Sequence, residues 1–508
     1  MSNLSELLPA GGSAKEFEAV ASGTLPNGKP VILKANGQVE AVGESSSVGI
    51  QIPAGLPTSF NTNVLTFMDI AYNPNVAGQF VVVYRDNTNN GYFTANLGTV
   101  SGTGITFGSN VIIFSATIIY CQIKFDPNTA NRFVVAGHNE TSSNRGTAWV
   151  GTVSGSSLSF SDEMFWNGGS TGVFLGFDFD PNQANRFVAA FYNGNNSNYG
   201  TLVVGSVSSA TNINYASQTV FESSYSASDR GVSFDPNTSG KFVIAWRDQS
   251  TSPSYGGSAL IGTLSGTSFS FGSKATFVNS GTTQQITVNY DPNTAGKFLI
   301  TYRDAATTKG TAIIGTVSGT TISYGSAVDV NTGSDISYVS AAFDPATANK
   351  FVAIYKNKAK VGTISGNTIS FGSAYTLPSA AGGATSSYRG TLAVAFDTSA
   401  NDGRFVTINK TYTGLALDGG QAALSDLSGT VVTTNVANFV GTSTAAFTNG
   451  QTATIVPKGG VSANQSSLTI GSTYYVQGNG TVSTVSTSPA VILGKAISST
   501  SVILKGNS

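Results

Sequence analysis

The chain is 508 residues long, carries 25 Lys and Arg against 26 Asp and Glu, and is only 10% charged, where soluble domains average roughly 25%. One Cys and one His exclude a disulfide framework, a multi-cysteine metal site and a His-rich metal cage. A formal net charge of −1 gives no electrostatic footprint for nucleic acid or an anionic membrane.

The opening stretch, residues 1–9, has neither a basic n-region nor a long apolar h-region, so no cleaved secretory signal is expected. No run of ~18 apolar residues follows, so no membrane insertion is expected. Residues 28–39 read as a hairpin turned at Asn36-Gly37, a strong two-residue turn signal. The segment 1–55 is too poor in apolar residues to bury a good core alone.

Next comes internal repetition. An aromatic–Asp–Pro step recurs at Tyr72-Asn73-Pro74, Phe125-Asp126-Pro127, Phe179-Asp180-Pro181, Phe234-Asp235-Pro236, Tyr290-Asp291-Pro292, Phe343-Asp344-Pro345 and a degenerate Phe396-Asp397-Thr398. The aromatic residues are spaced 53, 54, 55, 56, 53 and 53 apart. Each repeat holds four short runs of Val, Ile, Thr, Phe and Tyr punctuated by Gly, Asn and Ser, which are strand and hairpin signatures. In the fifth these are residues 286–290, 298–302, 310–317 and 321–324. Helical periodicity is absent.

Four antiparallel strands per repeat, repeated seven times, predict an all-β chain whose residues 56–435 form a seven-bladed β-propeller. Each blade buries its faces only against its neighbours. The first strand of each repeat carries small or short polar residues one and three positions before the aromatic, as at Asp69/Ala71, Gly176/Asp178 and Ser340/Ala342. That pattern suits innermost strands converging on an axis; Gln122/Lys124 breaks it. One set of turns is uniform: the Asp-Pro-Asn-Thr steps and the Ser-Gly steps from Ser101-Gly102 to Ser428-Gly429. The opposite set varies, as in residues 139–145 and 193–199, and is where a binding surface is expected.

The tail, residues 436–508, carries a second hairpin at 450–461 that resembles the one at 28–39. Both ends together are expected to build one small bipartite β-domain with the propeller inserted in it. Residues 438–441, 468–476 and 491–498 resemble the terminal β-module of tailed-bacteriophage virion proteins, of tail-fibre and capsid-surface or decoration type. The motif Phe-Asp-Pro-Asn-Thr-Ala-x-Arg/Lys-Phe-Val-Val resembles repeats of the same group, particularly from marine phages. The resemblance implies a structural protein at the virion surface, assembled in a host cytoplasm. It implies partners among other capsid or tail proteins; host-surface polysaccharide, bound through the Asn/Ser/Tyr-rich variable loops, and homo-oligomers are further expected partners. It supplies no catalytic residue and no cofactor.

Three candidate chemistries follow. The repeated Asp126, Asp180, Asp235, Asp291 and Asp344 could be metal ligands, but an Asx side chain before Pro-Asn is expected to bond backbone N–H groups two residues on. Tyr84-Arg85-Asp86, Trp246-Arg247-Asp248 and Tyr302-Arg303-Asp304 end second strands on the variable side. They are candidate glycan-binding clusters, by stacking and charge-assisted hydrogen bonds. The structural alternative has Asp opening the next loop while Arg pairs with a neighbouring blade. His138 holds the Arg position of that pattern and is expected on a surface loop. Cys121 reads as a small buried hydrophobe.

No enzyme is expected. The competing readings are a glycan hydrolase or depolymerase with paired carboxylates, Asp69 and Asp178 first among them, and a bacterial lectin or adhesin.

Overall fold

The computed structural model describes residues 16–506 apart from 35, 49–56, 167–173, 252–254, 280, 332, 334–337, 378–391, 401, 414–415, 428–429, 435, 478–479 and 487–489. The chain is all-β; among the described residues helical structure amounts to two 3-10 turns, Gln249–Thr251 and Val436–Asn438. It divides into two compact units, Val48–Gly429 and the combined ends Met1–Ser47 and Thr430–Ser508.

In the unit 48–429 each repeat is an antiparallel sheet whose strands pair in chain order. In repeat 5, Thr283–Tyr290 pairs with Lys297–Asp304, which pairs with Lys309–Ser318, which pairs with Thr321–Tyr324. Repeats 1 to 4 and 6 follow the same path. First strands alternate buried and half-exposed residues, as in Leu65–Tyr72. Second strands such as Gln79–Asp86 and Lys241–Asp248 are buried along most of their length. Their near-continuous apolar runs therefore mark strands covered on both faces.

One pairing recurs at the heart of each sheet. The Phe that opens the second strand faces a Gly on the third: Phe80–Gly98, Phe133–Gly151, Phe187–Gly205, Phe242–Gly262, Phe298–Gly315 and Phe351–Gly362. A Cβ on any of these glycines would lie 2.1–2.2 Å from the facing ring. The first Gly of the Gly-Thr-Val-Ser-Gly motif is thus required by packing, because the ring lies flat over its backbone.

Repeat 7 departs from the sequence expectation. Its first three strands are Leu392–Phe396, Arg404–Thr413 and Ala416–Asp426. Its outer strand is Thr58–Asn61, from before repeat 1. Ser428-Gly429, expected to turn into a fourth strand, lies outside the described residues, and the strand that follows, Thr430–Thr434, pairs with Glu44–Val48. The physical reason is a filled edge: Thr58–Asn61 already takes the hydrogen bonds a local fourth strand would have made. Each innermost strand also packs beside that of the next repeat, and Leu392–Phe396 packs beside Leu65–Tyr72.

In the terminal unit one sheet mixes both ends, in the order Phe17–Val20, Thr452–Pro457, Phe439–Ser443, Pro30–Leu33, Val39–Ala41. A second sheet contains Val461–Ser462, Val502–Leu504, Val491–Ala496, Thr473–Val476 and Val482–Ser483. Ile32, Phe439, Val476, Leu493 and Val502 share a core that neither end could form alone. The Asn36-Gly37 hairpin closes on Lys34 and Gln38, with the Lys34 N–H donating to the Gln38 carbonyl. Gly37 of the Asn-Gly pair has positive φ, at 83°.

Candidate functional site

The repeated aspartates are turn residues. One carboxylate oxygen of Asp126, Asp180, Asp235, Asp291 and Asp344 accepts the N–H two residues on at 2.9–3.0 Å. Asn73 and Asp397 do the same at 3.1 Å. All seven side chains are buried.

What the sequence did not reveal is where the remaining polar groups of this turn go. The Asn after the Pro donates from Nδ2 to the Pro carbonyl of the next repeat: Asn128 to Pro181, Asn237 to Pro292 and Asn293 to Pro345 at 3.1–3.2 Å, and Asn182 to Pro236 at 3.5 Å. The basic residue after the turn reaches the Ser-Gly turn of the next repeat. Arg186 donates to the Gly266 carbonyl at 2.9 Å, Lys241 to that of Gly319 at 2.7 Å and Lys297 to that of Gly366 at 3.2 Å. Asp235 Oδ2 accepts the Gly296 N–H at 2.9 Å, and Asp397 Oδ2 accepts the Gly78 N–H at 2.7 Å, joining repeat 7 to repeat 1.

The aromatic–Arg–Asp clusters are not stacking platforms. Tyr84 and Trp246 are fully buried and Tyr302 is 5% exposed, so no aromatic face is free for a sugar. Burial pushes the Tyr302 hydroxyl up to about 12. The aspartates hold loops. Asp86 Oδ1 accepts the Asn89 N–H at 3.0 Å, and its Oδ2 accepts Nδ2 of Asn61 and Asn63 at 3.2 and 2.8 Å. Asn61 belongs to the closing strand, so this aspartate helps to pin it. Asp248 accepts the Ser250 N–H at 2.9 Å and the Ser258 hydroxyl at 2.8 Å, and pairs with Lys274 at 3.0 Å. Burial raises its pKa, but those hydrogen bonds outweigh it and hold the carboxyl below the usual range. Asp304 accepts the Ala306 N–H at 2.9 Å. Arg247 lies over the Tyr255 ring at 4.9 Å, and Arg303 donates to Gln284 Oε1 at 2.5 Å, both within their own repeats. Arg85 likewise packs against Gly91 of its own repeat.

His138 is likewise not on a surface loop. It is the next-to-last residue of the strand Arg132–Asn139, is 5% exposed, and its Nε2 lies 3.2 Å from Asn144 Oδ1. Cys121 is buried, as expected, and burial pushes its thiol well up.

Asp69 and Asp178 both tie first strands together. Asp69 Oδ2 accepts the Ile123 N–H at 3.0 Å and Asp178 Oδ2 accepts the Phe234 N–H at 2.9 Å, each from the next repeat. Gln122, which breaks the small-residue pattern of the first strands, is accommodated by its neighbour. Its Oε1 accepts the Phe177 N–H at 3.2 Å, in the space left by Gly176, where a Cβ would come within 3.3 Å of it. Lys124 pairs with Asp178 at 3.7 Å. Burial raises both carboxyl pKa values, that of Asp69 to about 6, while Lys124 opposes the shift.

These first strands enclose a cavity of about 330 Å3 to which all seven repeats contribute, with Asp69, Lys124, Gln285 and Tyr338 in its wall. Asp178 lines a second, smaller depression of about 290 Å3 with Pro74, Pro127, Pro181 and Pro236. The two carboxylates therefore do not share one cavity. Five positions before the repeat aromatic stand Phe67, Tyr120, Gln285 and Tyr338, all lining the larger cavity. That constant offset was the signal in the sequence that could have revealed it.

No protein-family model matches the chain, and no curated protein matches it. Among solved structures it is similar to the BP39L lectin of Burkholderia pseudomallei, at 10% identity and a TM-score of 0.49, covering 73% of this chain and 98% of the lectin. It is also similar to an α-L-arabinanase of Penicillium chrysogenum, solved with arabinobiose, at 12% identity and a TM-score of 0.41, covering 80% of this chain and 98% of the arabinanase. At such identities neither likeness transfers an activity.

Proposed function

We propose that the chain is a non-enzymatic structural protein of a tailed-phage particle. In this reading residues 48–429 form a closed seven-bladed β-propeller displayed at the surface, and the two chain ends form the module that attaches it. The observation that carries the structural reading is the destination of the repeated polar groups: turn amides and the following cations reach the next repeat, as do the carboxylates of Asp235 and Asp397. Asp69 and Asp178, the carboxylates a hydrolase reading would use, each hold a neighbouring strand's backbone. The resemblance of the terminal motifs and of the repeat motif to phage virion proteins supports the particle assignment.

Electron cryomicroscopy of purified particles tests it: density for the chain at the particle surface is the expected result, and its absence from purified particles refutes the assignment. Leu493→Asp, which puts a charge into the terminal core, should abolish incorporation. Incubation with host polysaccharide tests the enzymatic alternative. Turnover that Asp69→Asn or Asp178→Asn abolishes would sink the structural reading.

A further inference from the structure

The cavity among the first strands has features that holding the repeats together does not require. Phe67, Tyr120 and Gln285 occupy the same repeat position and share left-handed φ values of 52°, 53° and 53°. Non-glycine residues are held there at a cost of roughly 1–3 kcal/mol each, and such residues cluster at ligand sites. At each one the ladder to the second strand shifts register, a bulge of the kind that re-aims a side chain. In repeat 6 the described pairing runs in register from Val339 to Phe343.

A second observation is independent of the backbone. Gln285 Oε1 is buried with no partner among the described residues. An orphaned buried acceptor costs about 1–3 kcal/mol; Gln285 lines the cavity, so a turn of its side chain would bring that oxygen to a donor there. The cavity, about 330 Å3, lies at the small end of ligand pockets, which run roughly 300–1,000 Å3.

We propose that this cavity binds one neutral sugar ring, the terminal residue of a glycan. The rings of Phe67, Tyr120 and Tyr338 offer apolar faces to the C–H side of a pyranose, while Gln285 and Asp69 accept hydrogen bonds from its hydroxyls. One carboxylate, Asp69, and one ammonium, Lys124, line the wall, the ammonium also paired with Asp178. An anion would meet the carboxylate, a cation would meet the ammonium, and an apolar ligand would leave Gln285 unpaired. A polyhydroxylated neutral ligand meets none of these objections. This site replaces the aromatic–Arg–Asp clusters, whose rings are buried, as the place for glycan recognition. The inference does not rest on the particle assignment, and either can fail without the other.

Saturation-transfer NMR and titration calorimetry on the full chain test it, with glucose, galactose, mannose, fucose, N-acetylglucosamine and N-acetylgalactosamine as millimolar probes. At least one should bind with one-to-one stoichiometry. Gln285→Leu should weaken it about tenfold or more, the loss of one buried hydrogen bond, without lowering the Tm, because it also removes the orphaned acceptor. If Gln285→Leu fails to fold, Tyr338→Ala, which removes one ring from the cavity wall, carries the same test. Binding by none of the six probes, or binding that a folded variant of the pair leaves unchanged, would overturn the proposal.

Discussion

The glycine that faces each second-strand Phe shows how a single residue can be decided by close approach. At Gly315 a Cβ would lie 2.1 Å from the ring of Phe298, which is itself fully buried. Gly315→Ala should therefore destabilise by about 1–3 kcal/mol, the usual range for overpacking a core, measured by denaturant unfolding. Repeat 7 has Ser425 opposite Phe405 instead, buried and with its hydroxyl unpartnered among the described residues. Ser425→Ala should stabilise by about 1 kcal/mol through loss of that orphan. Asp69 gives a pH signature. Its folded pKa of about 6 stands above its ordinary 3.8, chiefly through burial. Its contribution is then complete below about pH 4 and lost as pH rises through about 6. Asp69→Asn should match the parent near pH 4 and exceed it by on the order of 2 kcal/mol at pH 7, read as the difference in Tm across a pH series.

At the scale of elements, the Asp-Pro-Asn turn does two jobs, and only one was legible beforehand. The internal bond from Asp to the N–H two residues on is local chemistry that spacing reveals. The bond from the Asn to the next repeat spans more than fifty residues, and no local pattern carries it. Asn237→Ala removes one such bond at a partly solvated site and should cost about 1 kcal/mol. Asp235→Ala strips partners from both Asn237 N–H and Gly296 N–H and should cost about 2–3 kcal/mol. Denaturant midpoints that show no gap between the two variants would refute this division of roles. The aromatic–Arg–Asp clusters were legible as motifs and misread as platforms. Sequence shows that an aromatic ends a strand; which face of the strand is covered depends on its neighbours, and here Tyr84, Trp246 and Tyr302 all point into cores.

At the scale of the whole molecule, the sheet of repeat 7 is completed by four residues from before repeat 1, Thr58–Asn61. Phe60 of the closing strand is buried with Leu65, Tyr84 and Leu424, and its ring lies over Gly420. Phe60→Ala should cost about 3–5 kcal/mol and raise amide exchange first along Ala416–Asp426, the strand that would become a free edge. Uniform exchange across all repeats would contradict that role for the strand.

The sequence by itself determined the repeat, its strand composition, its Asx turns and the pairing potential of the chain ends, because these rest on residue spacing and on bonds within a few positions. Tertiary structure decided what depends on partners distant in the chain. It set the closing strand from Thr58–Asn61, the repeat-to-repeat ties, the burial of the aromatic clusters and the cavity lined by Phe67, Tyr120, Gln285 and Tyr338. The physical reason is the same in each case. A side chain's hydrogen-bonding capacity and size are written in its identity, whereas the atom that meets them is supplied by a strand some fifty to several hundred residues away.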